Sequence, residues 1–350
     1  MMQINGVWVG WGLGDHSAHD LTVQQAKKYM RAAFRSYAGS LRDTNIFDQQ
    51  MQDTVTEMQK RLVADGALTP GQFVVGVLDL PTEYAMGFRR RPTGVQPVFF
   101  TVEGHMSNMF AGPVADTATR LEAEGHCHHQ PIGYNNGAIP FDNASGVEEL
   151  ARLVGSTTMD NGVPFPAGTP WGLGIYSQGA IIGSMFWSQY LQPGQPLDWR
   201  AADLKGVLAY ANPWREKNQV AEWAVPGGPD KNTQGLSDQR LTNTPTFWKE
   251  VCRHGDIFAE NSDDEEGQIK TAVYTAVMGN FFLGPYSILA KLTAALQKPG
   301  AELEPIVTSI YSGFVFLISN PNPHYAPFIV DGGLDFMRRR LTGQDAVPIV

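Results

Sequence analysis

The sequence predicts an α/β protein with a mostly parallel central sheet, preceded by a small helical domain. Hydrophobic residues make up 43% of the 350 residues and charged residues 17%, proportions that suit a packed core. Over residues 1–90 the apolar residues recur mainly with helical spacing. Over residues 95–345, apolar strand-like runs alternate with helical stretches, which is the pattern of βαβ units and of a parallel sheet.

Charge and hydropathy argue against a nucleic-acid-binding protein and against a membrane-spanning one. The net charge of −9 argues against nucleic-acid binding, which needs a basic surface to displace counterions from phosphates. The N-terminal residues do not show a positive segment followed by an apolar one. The longest apolar stretch, 306–318, is interrupted by threonine and serine and is too short to span a bilayer. We therefore expect a soluble protein without a signal peptide or a transmembrane segment.

The first 90 residues predict three short helices around a small core. Thr22 and Gln25 have the spacing of a capping box and open an apolar series over 26–37. A second helical series covers 55–62. Residues 89–94 combine arginines with proline and glycine, and they predict a linker between this domain and the next.

The second domain has a regular order of predicted elements, with two interruptions. Predicted strands cover 97–102, 172–176, 204–211 and 314–319, and predicted helices cover 114–124, 145–154, 178–190 and 334–341. Residues 225–247 are rich in Gly, Pro, Asn and Thr and predict an irregular surface excursion. Residues 265–303 predict a helical insertion that would serve as a lid or linker over the site.

Residues 174–180 carry the strongest signal for chemistry. An apolar strand leads directly into Ser177, and a helix rich in small residues follows at once. This is the pattern of a nucleophile elbow, a sharp strand-to-helix turn that holds the serine Oγ clear of the backbone. Gly179 fits the tight packing of such a turn, whereas Ile175 stands where a glycine is usual. The alternative is an ordinary buried serine at a helix N-cap.

A serine hydroxyl needs a histidine to remove its proton and an acid to orient that histidine. On an elbow fold the chain order is serine, acid, histidine, and only His254 and His324 follow Ser177. His324 lies in a loop after the last predicted strand, where this fold presents its base. Asp256 stands in a loop two residues beyond His254 and is the predicted acid. The competing acids are Asp230, Asp263 and Asp264.

The negative charge that forms on the substrate during attack needs two backbone N–H donors, together called the oxyanion hole. Gln178, directly after the nucleophile, is one predicted donor. The other is expected from the loop after the first strand of the second domain, with His105 as first choice and Met106 next. A serine–histidine–acid site of this kind needs no metal and no cofactor.

Residues 125–129 contain three histidines and Cys127, ligand types that zinc accepts. Adjacent residues on one short stretch rarely converge on a single ion, so a polar turn near the sheet is predicted instead. Cys127 and Cys252 are too few for a disulfide scaffold. Two buried free thiols are expected, with one disulfide between them as the alternative.

Taken together, these residues resemble the mycobacteriophage Lysin B family, a cutinase-like branch of the α/β-hydrolases, over about residues 95–342. The similar segments are Pro-Ile-Gly-Tyr-Asn-Asn at 131–136, Ile-Tyr-Ser-Gln-Gly-Ala at 175–180, Ala-Asn-Pro-Trp-Arg-Glu at 211–216, His-Gly-Asp-Ile-Phe-Ala at 254–259 and Pro-His-Tyr at 323–325. The resemblance implies a mycolylarabinogalactan esterase, which cuts the ester between mycolic acids and the arabinogalactan of the mycobacterial wall. It also implies that Ser177, Asp256 and His324 form the catalytic triad, and that 265–303 is a linker subdomain beside the active site.

The first 90 residues are similar to the peptidoglycan-binding module that some members of this family carry. The similarity lies at 56–62 and 76–87, and Leu78-Asp79-Leu80 departs from the Asp-Gly pair of that module. Peptidoglycan is therefore an implied partner, and a helical cap that shields the hydrolase surface is the alternative. The resemblance further implies synthesis in the host cytoplasm and action on the host cell envelope at lysis.

Three other functions stay open on the same residues. A general cutinase or lipase would share the triad and differ in its acyl pocket. A mycolyltransferase would pass the acyl group to a sugar instead of water. A wall-binding protein with an inactive hydrolase fold is the third, and a serine, an aspartate and a histidine in the proper order argue against it.

Overall fold

The structure is a computed structural model in which the chain forms two compact units. It describes residues 1–17, 21–89, 94–138, 140–264, 267–268, 270–271, 274, 293, 297–302, 304 and 323–343. Unit 1 comprises Met1–Pro97 and Asp116–His128, and unit 2 comprises Val98–Ala115 and His129–Val350. The domain limits proposed from the sequence, 1–90 and 95–345, stay a prediction.

Unit 1 combines helices with a small antiparallel sheet. The helices are α1 (Thr22–Ala33), α2 (Arg35–Ala38), α3 (Gln49–Ala64) and α4 (Leu80–Ala85), and the strands are β1 (Met2–Ile4), β2 (Val7–Trp11) and β3 (Leu78–Asp79). The central strand β2 pairs antiparallel with both β1 and β3. Asn5 and Gly6 join β1 to β2 with φ angles of 52° and 81°, the left-handed pair that suits a two-residue hairpin. The expectation of helices alone was therefore incomplete.

The N-terminus of α1 differs from the predicted capping box. Thr22 is the first helical residue, so it cannot serve as the N-cap that the Thr22–Gln25 pairing requires. The N-cap is Leu21, which has a φ of 55° and no side-chain cap. The N–H of Val23 instead donates to the Ser17 hydroxyl at 3.1 Å, so a residue outside the helix satisfies this donor.

The core of unit 1 is formed largely by the apolar faces of α1 and α3. The fully buried apolar side chains of these helices are Val23, Ala26, Met30, Met51, Val55 and Met58. The carboxylate of Asp48 caps α3 by accepting the N–H of Met51 at 3.0 Å. These helices therefore bury one face each, as their helical spacing of apolar residues requires.

Among the described residues, the chain after Pro97 forms a five-stranded parallel sheet. Its strands are β4 (Val98–Val102), β5 (His128–Pro131), β6 (Trp171–Tyr176), β7 (Leu204–Tyr210) and β8 (Trp248–Val251), in the order β5-β4-β6-β7-β8. Every residue of β4 and β6 is buried, as expected for strands covered on both faces. The predicted α/β class with a mostly parallel sheet is confirmed. His128 and His129, expected in a polar turn, instead begin the edge strand β5.

Helices α5 to α9 accompany this sheet in the sequence. They are α5 (Pro113–Ala123), α6 (Asn143–Gly155), α7 (Gln178–Tyr190), α8 (Asp198–Ala201) and α9 (Asp331–Thr342). Helix α7 packs on α6, where Gly146 makes room for Ile182: a Cβ at Gly146 would lie 2.4 Å from Ile182 Cδ1. The predicted strand 314–319 and most of the predicted insertion 265–303 lie outside the described residues. Within the described part of the chain, none of the helices is both long and apolar enough to cross a membrane.

Candidate active site

Ser177 lies in a sharp turn between β6 and α7. Its φ is 56° and its ψ is −117°, a strained conformation for a residue with a side chain. The N–H of Ser177 donates to Tyr210 O at 3.1 Å, which ties the turn to the end of β7. The Ser177 side chain makes no capping hydrogen bond to α7. The alternative of a serine whose hydroxyl merely caps the helix therefore does not fit, and its Oγ is available for another partner.

Two glycines allow this turn to pack closely. A Cβ at Gly179 would lie 2.0 Å from Val102 O, so a side chain there would collide with the backbone after β4. A Cβ at Gly104 would lie 3.0 Å from Ser177 Cβ and 3.4 Å from its Oγ, which places the loop after β4 directly beside the serine. Small residues at both positions are needed because the turn that carries Ser177 packs directly against the backbone that follows β4.

Ile175, which stands where the elbow pattern usually has glycine, is fully buried in the sheet. Its side chain lies next to Gly183, one turn along α7 from Gly179, where an added Cβ would be 2.6 Å from Ile175 Cγ2. The Ile175 side chain thus fills the space beside the helix, and the helix makes room for it because residue 183 is a glycine. The departure from the usual pattern is accommodated without opening the turn.

The structure brings Ser177, His324 and Asp256 together. Ser177 Oγ lies 2.7 Å from His324 Nε2, and His324 Nδ1 lies 2.9 Å and 3.1 Å from Asp256 Oδ1 and Oδ2. Because an ionised carboxylate only accepts hydrogen bonds, Nδ1 carries the proton and Nε2 is left as the acceptor facing the serine hydroxyl. His324 and Asp256 are both fully buried.

The histidine ring is held between aromatic side chains. The Tyr176 ring stacks on His324 with centroids 5.6 Å apart, and the Phe258 ring lies 4.6 Å away on another side. The Tyr176 hydroxyl donates to His324 O at 3.0 Å. Burial raises the pKa of Tyr176 above its ordinary value, which keeps this hydroxyl a neutral donor. Sequence reasoning missed Tyr176, although its place directly before the nucleophile was an available signal.

The carboxylate of Asp256 is fixed by its own loop. Its Oδ1 accepts the N–H groups of Phe258 and Ala259 at 3.0 Å and 3.2 Å. Backbone donors of this kind hold the acid in one orientation and stabilise its charge. The same Oδ1 is also the carboxylate oxygen nearer to His324 Nδ1, at 2.9 Å, so the backbone N–H groups fix the acid in contact with the histidine.

The rejected candidates for acid and base have other partners. His254 Nδ1 lies 3.6 Å from Asp230 and 3.4 Å from Glu260. Asp263 pairs with Lys217 at 2.5 Å, and Asp264 accepts the Ser262 hydroxyl at 2.7 Å. Each of these acids therefore has a partner other than His324.

Gln178 and His105 lie on the two segments that meet at Ser177. Gln178 is the first residue of α7 and directly follows Ser177, and its side chain donates to Asn143 Oδ1 at 3.1 Å. His105 follows Gly104, the residue in contact with Ser177. Met106 N–H donates to Asn136 O at 3.0 Å and is thereby occupied. Burial lowers the pKa of His105 below its ordinary value.

Among the described residues, the side chains grouped closely enough to hold a metal ion lie apart from the Ser177–His324–Asp256 triad. His129 Nε2 lies 2.7 Å from the Thr101 hydroxyl, and burial lowers the pKa of His129 to about 4. Cys127 is a buried free thiol, as is Cys252. In the part of the chain that the structure describes, the side chains close enough together to share an ion are those of Asp230, His254 and Glu260, of which the first two are exposed.

Two solved structures are among those similar to this chain. Lysin B from Mycobacteriophage D29 is similar to this chain at 26% sequence identity and a TM-score of 0.55, over 69% of this chain and 99% of that protein. A cutinase-like protein from Cryptococcus sp. is similar at 18% identity and a TM-score of 0.36, over 47% of this chain and 79% of its own. The fold is that of an α/β-hydrolase. No protein-family profile and no curated protein matches the sequence.

The likeness to lysin B spans almost all of that protein. Together with the likeness to lysin B, the fold supports a hydrolase of the esterase or lipase type. The likeness leaves about a third of this chain without a counterpart.

Proposed function

We propose that the protein is a serine esterase in which Ser177 is the nucleophile, His324 the general base and Asp256 the acid that orients the histidine. The observation that carries this proposal is the relay of short contacts, 2.7 Å from Ser177 Oγ to His324 Nε2 and 2.9 Å from His324 Nδ1 to Asp256 Oδ1. A buried imidazole between a hydroxyl and a carboxylate is the arrangement that activates a serine.

The reaction would run in two steps. His324 Nε2 takes the hydroxyl proton while Ser177 Oγ attacks the ester carbonyl carbon, and Asp256 stabilises the imidazolium that forms. The tetrahedral intermediate collapses, Nε2 gives its proton to the leaving alcohol, and the acyl group stays on Ser177. His324 then takes a proton from water, the hydroxide attacks the acyl carbon, and the acid is released as Ser177 regains its proton.

Main-chain N–H groups of Gln178 and His105 are proposed to stabilise the oxyanion. The N–H of Gln178 belongs to the first turn of α7, where amides have no carbonyl partner inside the helix and carry a partial positive charge. The N–H of Met106 already donates to Asn136 O, which supports His105 as the second donor. Removing one such donor in other serine hydrolases lowers kcat by about 10²- to 10³-fold.

The proposed substrate is the ester that joins mycolic acids to arabinogalactan. The likeness to lysin B supports this choice, and so does the surface around Ser177. Met106 and Phe110 are exposed on the loop after β4, and Tyr325 and Ile329 are exposed beyond His324. Apolar side chains on both loops that flank the serine suit an ester with long acyl chains.

The alcohol part of this substrate is a polar sugar, and a suitable space lies beside the same loop. A cavity of about 270 Å³ is lined in part by Ser107, Asn108 and Asn136. Hydroxyl and amide groups can donate to and accept from sugar hydroxyls. This lining supports a sugar ester as substrate.

For unit 1 we propose peptidoglycan binding, which would hold the enzyme at the host cell envelope. A cavity of about 360 Å³ within unit 1 is lined in part by Trp8, Gln72, Phe73 and Asp79. Aromatic faces beside amide and carboxylate groups can take both the apolar face and the hydroxyls of a sugar. Cosedimentation with insoluble peptidoglycan should fall on Trp8→Ala and persist in Lys60→Ala. Equal sedimentation of all three proteins would remove Trp8 from the binding site, and a wild type that does not sediment with peptidoglycan would favour a helical cap without a wall ligand.

The esterase proposal is tested by hydrolysis of para-nitrophenyl esters from short to long acyl chains. We expect the wild type to release nitrophenol and Ser177→Ala to be slower by about 10⁶-fold, the loss typical of a serine triad. Ser188→Ala, on the same helix, is the matched control and should keep the wild-type rate. A Ser177→Ala variant as active as wild type would remove Ser177 as the nucleophile, and a wild type inactive on every chain length would favour the wall-binding alternative.

Mycolic acid release from purified mycobacterial cell wall then tests the substrate. Free mycolic acid as product supports hydrolysis. Transfer of the acyl group to an added sugar would identify a mycolyltransferase. Activity on nitrophenyl esters without release from the wall would identify a general cutinase or lipase.

A further inference from the structure

The candidate base comes from a segment with little regular structure. Residues 323–330 consist of a 3-10 turn, Pro323–Tyr325, followed by irregular chain up to α9. The acid, Asp256, comes from the loop after β8, 68 positions earlier in the chain. A hydrogen bond between the two side chains is useful only if something holds the two loops in register.

Arg253 links these two loops. Its Nη1 donates to Pro323 O and to Ala326 O, both at 2.7 Å, and its Nη2 donates to Pro327 O. These three carbonyls lie on either side of His324 along the chain. The guanidinium carbon also lies 3.7 Å from the centre of the Phe328 ring, so a stacking contact adds to the hydrogen bonds.

The chemistry of the side chain explains why an arginine would be used here. A guanidinium presents five N–H donors in a rigid plane, so it can bind several carbonyls and stack on a ring at once. An ammonium is a compact point charge with three donors and has no flat face to lie on Phe328. Lysine at this position would keep the charge and lose the geometry.

Arg253 also lies three residues before Asp256, on the same loop. The loop that carries the acid therefore also grips the segment that carries the base. A small movement of either loop would shift both groups together, so the Asp256–His324 distance would be preserved. The contacts of Arg253 described above are with main-chain carbonyls and one ring, not with Ser177.

We propose that Arg253 is a positioning residue that holds the His324 segment against the Asp256 loop and so aligns the histidine with the serine. This inference rests on the proposed function of the triad. Misplacement of a reacting group by about 1 Å can lower a rate by about 10²-fold, so the effect of losing this contact is measurable.

The test compares Arg253→Lys and Arg253→Ala with Arg152→Lys. Arg152 lies on α6, is half exposed and pairs with Glu149 and Asp160, which makes it a matched control away from the site. We expect kcat for para-nitrophenyl butyrate to fall about 10-fold in Arg253→Lys and about 10²-fold in Arg253→Ala, with KM within about twofold of wild type. Arg152→Lys should keep both constants.

A second measurement keeps the proposal open to refutation without relying on activity. The His324 Nδ1 proton, hydrogen-bonded to Asp256, should give an isolated downfield proton NMR signal, which we expect to shift or broaden in Arg253→Lys and to stay unchanged in Arg152→Lys. A wild-type signal and wild-type kcat in Arg253→Lys would overturn the proposal. So would a lower kcat with an unchanged signal, because Arg253 would then act by another route. If the wild type hydrolyses no ester, the proposed function fails, and the NMR comparison still decides whether Arg253 aligns the pair.

Discussion

The nucleophile and the base of the candidate site are held in different ways. Ser177 lies in the turn between a buried strand and a helix that directly precede and follow it in the chain, and its backbone angles are those of that turn. His324 lies in irregular chain and is held by residues far away in the sequence, with Tyr176 148 positions and Arg253 about 70 positions from the segment. One half of the site is thus fixed by local backbone geometry, and the other by tertiary contacts.

This contrast indicates where each half is vulnerable. The elbow depends on the absence of side chains at a few glycines, so it is disrupted by added bulk. The histidine segment depends on the presence of particular donors and acceptors, so it is disrupted by removing them. Substitutions of the two kinds should therefore separate stability from catalysis.

The largest expected effect is a loss of kcat, in the half of the site where tertiary contacts hold His324. Asp256→Asn keeps the shape of the side chain and its ability to accept the N–H of Phe258, but it no longer offers His324 a charged acceptor. We expect kcat to fall by about 10⁴-fold, since the histidine loses its correct tautomer, while thermal unfolding stays close to wild type. The measurement is kcat on a nitrophenyl ester, with the exposed Asp230→Asn as the control. Retention of a tenth of the wild-type rate would mean that another group orients His324.

The next effect is a loss of stability, in the turn that carries Ser177. Gly179→Ala would place a Cβ 2.0 Å from Val102 O, a backbone atom that cannot move without disturbing β4. We expect the free energy of unfolding to fall by about 3 kcal/mol or more, measured by urea denaturation. Gly137→Ala is the control, because an added Cβ there meets nothing within 4 Å. Equal stability of the two variants would show that the elbow tolerates bulk and that the contrast drawn here is wrong.

The smallest effect tests the support beneath the acid loop, at Glu250 of β8. This side chain is fully buried, and its Oε1 accepts the Asn212 amide at 2.9 Å and the Trp248 indole N–H at 2.8 Å. Its other oxygen makes no hydrogen bond to any residue that the structure describes. Burial raises the pKa of Glu250 from 4.5 to about 7.

The sign of the pH effect follows from this pKa. Between pH 4.5 and about 7 the folded protein holds a proton that the unfolded chain has released, so stability falls as the pH rises through this range. Glu250→Gln does not ionise and avoids this loss. Relative to wild type, the variant should gain up to about 3 kcal/mol in the free energy of unfolding between pH 4.5 and pH 8. A difference that is the same at both pH values would mean that Glu250 is charged in the folded protein.

The elements that were predicted well are those with strong local patterns. Three predicted strands, 97–102, 172–176 and 204–211, lie within one residue of β4, β6 and β7 at each end, and the helix 178–190 has the bounds of α7. Buried parallel strands are continuous apolar runs, which leave a clear trace in the sequence.

The missed elements have weaker or shorter patterns. Strand β5 reads His-His-Gln-Pro, and it is a strand because its backbone pairs with β4 at the sheet edge, as in the bond from Ile132 N–H to Thr101 O. The hairpin of β1 and β2 is only a few residues long on each side of Asn5 and Gly6. Its Asn-Gly turn pair is a usable hairpin signal, which the prediction of three helices did not take into account.

Chain order and local pattern were sufficient to single out the serine, the acid and the histidine that the structure brings within hydrogen-bond distance. An elbow is a local motif, and the order of the three residues is a property of the fold class. Neither could point to Arg253, because the carbonyls that it binds have no sequence signature and lie about 70 positions away. Backbone carbonyls are the same at every residue, so only the folded chain decides which of them an arginine can reach.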